Sequence, residues 1–357
     1  MNTLTTSALG SYVLPGAAPD PRVGLDDARA AESSGLGSVW IGERFDSKDL
    51  PALASAIGQV TERVRIGAAV TVPFVRHPMV LASMGQTLQS LTEGRFRLGF
   101  GRSASWRWRA YGLPSPSLRA LGDLADVLRR LWAGETVSYD GPLGTFPQLR
   151  LPVVLDLAPP PLLLAAVGPK TIALAGRHFD GVILHPLLTP DAVTRSAGIL
   201  RDAAEQAGRD PDGVKCIATV LTAPAVSKED EDEAIRARSA GYLSVEGLGD
   251  AIVRSNEWDP AALAAYRAQR PFVELNGLPA DKHLSRRQLI ELCDGMPDNW
   301  LPSGSAAGGV DECAERLQAY LDAGADELIL HGVVGAKLGP LLKHISGRPR
   351  SRPISAI

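Results

Sequence analysis

The chain has 357 residues, 45% of them hydrophobic, with a net charge of −3 and only three cysteines. That is enough apolar material for a large core, and the charge balance excludes a general basic face for nucleic acid. Cys216, Cys293 and Cys313 are too scattered for a disulfide framework or a zinc spacing, so no metal site is expected and they read as small buried hydrophobes in a reducing compartment.

The opening "MNTLTTSALGSYVLPG" has neither a basic n-region nor a sustained apolar stretch, so no signal peptide is expected. No apolar run is long enough to cross a membrane, and a cytoplasmic protein of enzyme size is the expectation. The first strand is read at Ala8–Leu14, followed by a helix through Leu25, Ala28 and Ala31 that stops near Gly35. "SVWIGE" (Ser38–Glu43) is a second strand. "DLPALASAIGQVTE" is a second helix, with Asp49 as its N-cap and Pro51 in its first turn. "VRIGAAV" is the third strand, "PMVLASMGQTLQSLTEG" the third helix, "RFRLGFG" the fourth strand and Ser117–Trp132 the fourth helix. Residues 134–161 carry turn and extended chemistry rather than helix. Leu162–Gly168 and Asp180–His185 are the fifth and sixth strands, each followed by a helix. "VKCIATVLTA" is the seventh, and Ala325–Gly332 the eighth, after the helix "VDECAERLQAYLDAG".

Eight strands with intervening helices predict an α/β fold, a (β/α)8 TIM barrel forming one domain over residues 1–346. The roughly 100 residues between strands seven and eight exceed a bare loop. They hold helical patterns near 229–240, 260–269 and 285–293, read as a helical insertion at about 228–305 over the barrel mouth. Residues 347–357, "GRPRSRPISAI", read as a basic disordered tail. The rival is a doubly wound sheet, supported by "GFGRSA", which fits Gly-x-Gly-x-x-Ala after a strand. The following "SWRWRAYGLPSPS" is aromatic and proline-broken, and no strand with an acid follows at the required distance, so the motif carries little weight.

Barrel enzymes place their chemistry at strand C-terminal ends. Those ends hold Tyr12, Glu43-Arg44, Ala69-Val70-Thr71, Arg102-Ser103, Val167-Gly168 with Lys170 and Thr171, His185 and His331. Gly168-Pro169 before a helix is a candidate phosphate site, or an ordinary strand-to-helix turn. The smooth Ala68–Thr71 end suits a flat aromatic ring, or a small-residue barrel layer.

"GSVWIGERF", "RIGAAVTVPFVRHP", "GRFRLGFGRS", "AAVGPKTIALAGRHFDGVILH" and "VDECAERLQAYLDAGADELILHG" together resemble the luciferase-like monooxygenase superfamily, and within it the actinobacterial deazaflavin (coenzyme F420) dependent oxidoreductases. The resemblance implies a hydride-transferring F420-dependent oxidoreductase acting on a small organic substrate. The alternatives are an FMN-dependent monooxygenase and a cofactor-binding protein without turnover. It also implies a bulge after strand three with a cis peptide at Ala69–Val70, a ring resting on Ala69, Val70 and Thr71, and a phosphate held by Val167, Gly168, Lys170 and Thr171. Arg102, Ser103 and Arg107 would suit the anionic cofactor tail. The catalytic histidine of the deazaflavin glucose-6-phosphate dehydrogenases falls on Arg44, their glutamate on Ala104, and their sugar-phosphate-binding lysine on Leu188, so oxidation of glucose 6-phosphate is not expected. The proton-handling candidates are then Tyr12, Glu43, Arg44, His185 and His331. Each has a plain structural alternative, such as a Glu43–Arg44 ion pair, a loop bond from His185 or a carbonyl bond from His331. Arg76 is read as a structural ion pair or cap. "SWRWRAY" reads as a cation–π lid or as an aromatic surface loop. An apolar mouth points to an uncharged substrate, and the family often forms homodimers; no nucleic-acid or membrane partner is expected.

Overall fold

Eight parallel strands pair edge to edge and close on themselves: β1 (Leu9–Tyr12), β2 (Ser38–Ile41), β3 (Arg65–Ala68), β4 (Phe96–Phe100), β5 (Leu162–Ala166), β6 (Gly181–Leu184), β7 (Lys215–Pro224) and β8 (Glu327–Gly332). β8 pairs with both β7 and β1, and β6 with β7, which completes the ring. This computed structural model describes residues 3–13, 19–44, 47–103, 105–113, 117–333 and 335–347, without the side chains of residues 105–107 and 336. The basic tail from residue 348 lies outside the described residues. The doubly wound rival fails because β4, which precedes the "GFGRSA" motif, lies between β3 and β5 in this closed ring.

Helices bury one face against the outside of the barrel. Helix Leu50–Val60 buries Leu53, Ala54 and Ile57, with the Asp49 side chain accepting from the Ala52 N–H at 2.9 Å and Pro51 in its first turn. Leu53 and Ile57 each contribute about 1.5–3 kcal/mol on burial, and the Ala54 methyl about 0.8 kcal/mol. Helix Pro78–Leu91 starts at His77, whose Nδ1 accepts from the Met79 N–H at 3.1 Å. His77 is therefore a cap. Part of the irregular stretch is ordered as an antiparallel hairpin, Val137–Gly141 with Gly144–Leu149, in which Tyr139 stacks on Phe146.

The insertion after β7 is helical, including Asp232–Ala237 (a π-helical turn), Arg238–Ser244, Leu248–Ser255, Pro260–Arg267 and Arg286–Leu292. A short strand, Ser305–Gly308, then pairs with the end of β7. The insertion has its own apolar core around Leu243, Ile252, Tyr266 and Trp300. It is tied to the barrel by polar bonds. Ser255 Oγ donates to the Val167 carbonyl at 3.1 Å, Asn256 Nδ2 donates to the Leu187 carbonyl at 2.8 Å, and Asn256 Oδ1 accepts from the Thr189 N–H at 2.9 Å.

The barrel interior follows the period of two that β-strands impose. On β8, Glu327, Ile329 and His331 face inward at floor, middle and mouth. At the floor, Glu327 accepts from Ser38 Oγ and pairs with Arg97 at 2.7 Å and Arg65 at 3.3 Å. The middle is filled by Trp40 packed with Leu163, Ile183, Ile217 and Ile329. Trp40 fits only because Gly67 lies opposite, where a Cβ would come within 2.2 Å of the indole ring.

Candidate active site

Above Trp40, the chain leaving β3 keeps bonding to both neighbours. The Ala69 N–H donates to the Ile41 carbonyl at 2.9 Å, and the Thr71 N–H to the Gly99 carbonyl at 2.8 Å. The Ala69–Val70 peptide between them is cis. Behind it sits Glu43, whose side chain is fully enclosed. Its Oε2 accepts from Thr71 Oγ1 at 2.6 Å and the Val72 N–H at 2.9 Å, while Oε1 pairs with Arg76 at 2.5 Å. Arg76 also donates to Thr71 Oγ1 at 3.2 Å. Glu43, Thr71 and Arg76 thus brace the rim from behind.

In front of the rim lies a cleft of about 690 Å³. One wall is smooth: Ala69, Val70, Gly101 and Ala165. It leads to Val167, Gly168 and Thr171 at the start of helix Pro169–His178. No side chain caps this helix, and a Cβ placed on Gly168 would meet nothing within 4 Å. An uncapped helix start with open space above it suits an anion. Arg102 and Ser103 line the same side, with the Arg102 guanidinium 5.6 Å from the Trp108 ring centroid and Trp108 Nε1 donating to the Arg102 carbonyl.

The opposite wall gathers the titratable groups. The Tyr242 hydroxyl lies 2.9 Å from His331 Nε2. Tyr12 meets His331 edge-on at 4.9 Å, and its hydroxyl donates to the Ala69 carbonyl at 3.2 Å. His185 meets Tyr242 edge-on at 4.8 Å, and its Nδ1 lies 2.8 Å from the Pro186 carbonyl. A carbonyl only accepts, so Nδ1 carries the proton and Nε2 is the acceptor. Burial lowers the His185 pKa to about 4, the Pro186 bond opposing it. His331 is held well below its ordinary value by burial, then by Arg238, His185 and Arg44. Both imidazoles are neutral at neutral pH. Burial raises Tyr12 and Tyr242 above the usual phenol value, with Arg238 pulling both the other way.

Ten residues singled out from the sequence line this one cleft: Tyr12, His185 and His331 on the titratable side, and Ala69, Val70, Arg102, Ser103, Val167, Gly168 and Thr171 on the smooth side. Four do not. Glu43 faces away and pairs with Arg76, as the structural reading of Arg76 expected, and not with Arg44, the other partner weighed for it. Thr71 is buried against Glu43, Lys170 is exposed outside the cleft lining, and Arg44 is half-buried outside that lining, its charge lowering the pKa of Tyr242 and of His331. The Arg107 side chain lies outside the described residues. Sequence reasoning missed Tyr242, Thr219 and the Val245–Leu248 edge, all in the cleft lining. Glu246-Gly247-Leu248-Gly249-Asp250 did carry a signal: Asp250 accepts from the Gly247 N–H at 2.7 Å, starting a helix at the cleft wall. Among the described residues, no group of His, Cys, Asp and Glu is gathered to hold a metal, and no helix is long and apolar enough to cross a membrane.

Residues 2–327 match the family described as luciferase-like monooxygenases. The chain is 28% identical to a 5,10-methylenetetrahydromethanopterin reductase of Methanolobus tindarius, over 88% of this chain and 90% of that protein. It is also 28% identical to an F420-dependent glucose-6-phosphate dehydrogenase of Nakamurella multipartita, over 86% of this chain and 85% of that one. Its fold matches the coenzyme F420 dependent tetrahydromethanopterin reductase of Methanopyrus kandleri with a TM-score of 0.78 at 18% identity, covering 94% of this chain and 99% of that one.

Proposed function

The chain belongs to the luciferase-like monooxygenase family, and on that premise we propose that it is a coenzyme F420-dependent oxidoreductase acting on a small organic substrate. The observation that carries this reading is a single cleft with two unlike walls, one flat and apolar ending at an open helix start, the other bearing proton-handling groups. Its size lies within the usual range for cofactor sites. When bound, the deazaflavin donates or accepts the hydride, the hard part of the chemistry.

The chain's own residues do the rest. Ala69, Val70 and Gly101 present a surface without bulk for a planar ring, held in place from behind by Glu43 and Arg76. Val167, Gly168 and Thr171 receive the phosphate, and Arg102 stands where further negative charge would lie. His331, kept neutral, takes a proton arriving through the Tyr242 hydroxyl when substrate is oxidised, and returns it by the same path in reduction. Tyr12 and His185 fix these two rings edge-on.

The relatives named for F420 and the Tyr242–His331 pair favour this reading over an FMN monooxygenase and over a protein that binds without turnover. Cofactor fluorescence during titration with F420 and with FMN tests it. F420 is expected to bind with a dissociation constant on the order of 1 μM, about −8 kcal/mol. Binding of neither overturns the proposal. Tight FMN binding with oxygen consumption by the reduced protein supports the monooxygenase instead.

A further inference from the structure

Going round the barrel mouth, three successive strands, β3 to β5, present Ala69, Gly101 and Ala165 to the cleft at or just beyond their ends. The next four, β6, β7, β8 and β1, present His185, Thr219, His331 and Tyr12. Two of these four polar side chains already hold partners across the cleft wall. His331 Nε2 lies 2.9 Å from the Tyr242 hydroxyl, and the Tyr12 hydroxyl donates to the Ala69 carbonyl. The other two keep an atom in hand. Thr219 is only 4% exposed and lines the cleft, yet its hydroxyl has no hydrogen-bond partner among the described residues. His185 Nδ1 donates to the Pro186 carbonyl, so its Nε2 carries a bare lone pair, and that atom also has no partner among the described residues.

The register of β6 on β7 pairs Leu184 with Ala218, which brings the next positions, His185 and Thr219, side by side. Neighbouring strands lie about 4.8 Å apart, so one small group can touch both side chains. An apolar ligand surface laid over this pair would leave a hydroxyl and a ring nitrogen unsatisfied, at a cost. A carboxylate offers only lone pairs and would set one against Nε2. The complement is an uncharged group that donates to Nε2 and accepts from the Thr219 hydroxyl. The pair belongs to the wall that carries Tyr242 and His331, opposite the smooth wall assigned to the ring.

We propose that Thr219 and His185 form a specificity subsite for an uncharged group of the substrate that bears a hydrogen-bond donor and an acceptor together, held beside the group that reacts at Tyr242–His331. This rests on the oxidoreductase reading and deepens it.

Ligand-observed NMR titration of the full chain with benzamide and with acetophenone tests the proposal. The two probes share a ring and a carbonyl, and differ by an amino group in place of a methyl. Benzamide is expected to bind at least about tenfold more tightly, because the methyl leaves Nε2 unpaired. Thr219→Val keeps the shape and removes the hydroxyl. It is expected to weaken both probes about fivefold with the urea midpoint unchanged, since no protein hydrogen bond is lost. Thr219→Ser keeps the parent affinity. His185→Phe retains a ring edge-on to Tyr242 and is expected to erase the difference between the probes. The threonine variants keep the test decisive if His185→Phe fails to fold. Equal binding of the two probes by the parent, binding of neither, or unchanged affinity in Thr219→Val overturns the proposal. A lowered urea midpoint in Thr219→Val with affinity intact assigns the hydroxyl to the fold and overturns it too. Loss of the benzamide preference when coenzyme F420 saturates the protein also overturns it, because the two atoms then serve the cofactor. The two readings fail separately. F420 binding without the benzamide preference refutes the subsite alone, and the preference without F420 binding refutes the cofactor assignment alone.

Discussion

Replacing Arg76 by methionine tests the idea that the cleft rim is held from behind. Glu43 is fully enclosed and Arg76 is only 14% exposed, so the substitution strands a carboxylate out of water. Breaking a buried pair from one side costs about 3–5 kcal/mol. Glu43 keeps its bonds from Thr71 Oγ1 and the Val72 N–H, which places the expected loss near the low end, about 3 kcal/mol. Glu43→Gln is expected to cost about 1–2 kcal/mol, because Arg76 can turn toward water. The double variant should then lose less than the sum, with a coupling of about 2 kcal/mol. Urea denaturation at pH 7 of the four proteins measures this directly. Ala69 and Val70 precede Thr71 in the chain, so Arg76→Met should also weaken F420 binding by about tenfold. A coupling below about 0.5 kcal/mol, with cofactor affinity unchanged, refutes the brace.

Tyr242→Phe is expected to lower kcat by about 100-fold and leave the F420 dissociation constant unchanged; equal turnover removes the hydroxyl from the proton path. His185 has a folded pKa of about 4, below its unfolded value of about 6.5, so its contribution to stability is complete above pH 6.5 and is lost as pH falls through 4. The loss is at most about 3 kcal/mol, reduced by cleft water; His185→Gln should flatten urea stability between pH 7 and pH 4.5 relative to the parent, and parallel curves contradict this. Gly67→Ala drives a methyl into the Trp40 ring and should destabilise by about 3 kcal/mol, read by urea denaturation and by the shift in tryptophan emission. Gly168→Asp should reduce F420 affinity at least about tenfold while changing stability little, since the added side chain enters open space.

The barrel was legible because its signals are local. Each strand is a short apolar run, and a period of two carries Glu327, Ile329 and His331 up one inner face, so a histidine at the mouth follows from the pattern. Gly168-Pro169 before an apolar helix likewise marks an uncapped helix start. What the pattern could not settle was the direction of side chains once a strand ends. Glu43 follows β2 in an irregular backbone, where neighbouring Arg44 and distant Arg76 are equally plausible partners on paper; only the path of residues 70–76 selects Arg76. Tyr242 was hidden for another reason. It lies on an amphipathic helix, where a tyrosine reads as core, and its partner stands 89 residues away. The helical insertion was visible as a block, but which of its faces meets the barrel depends on polar ties such as Asn256 to Leu187 and Thr189.

Among the described residues, the plug of Trp40 over the Glu327–Arg97 pair turns the barrel into a cul-de-sac whose doorway is its mouth. Two molecules that must meet there cannot pass each other, so whichever lies deeper has to arrive first and depart last. That traffic rule favours ordered over random addition, and it makes the helices standing at the doorway gatekeepers for both visitors at once.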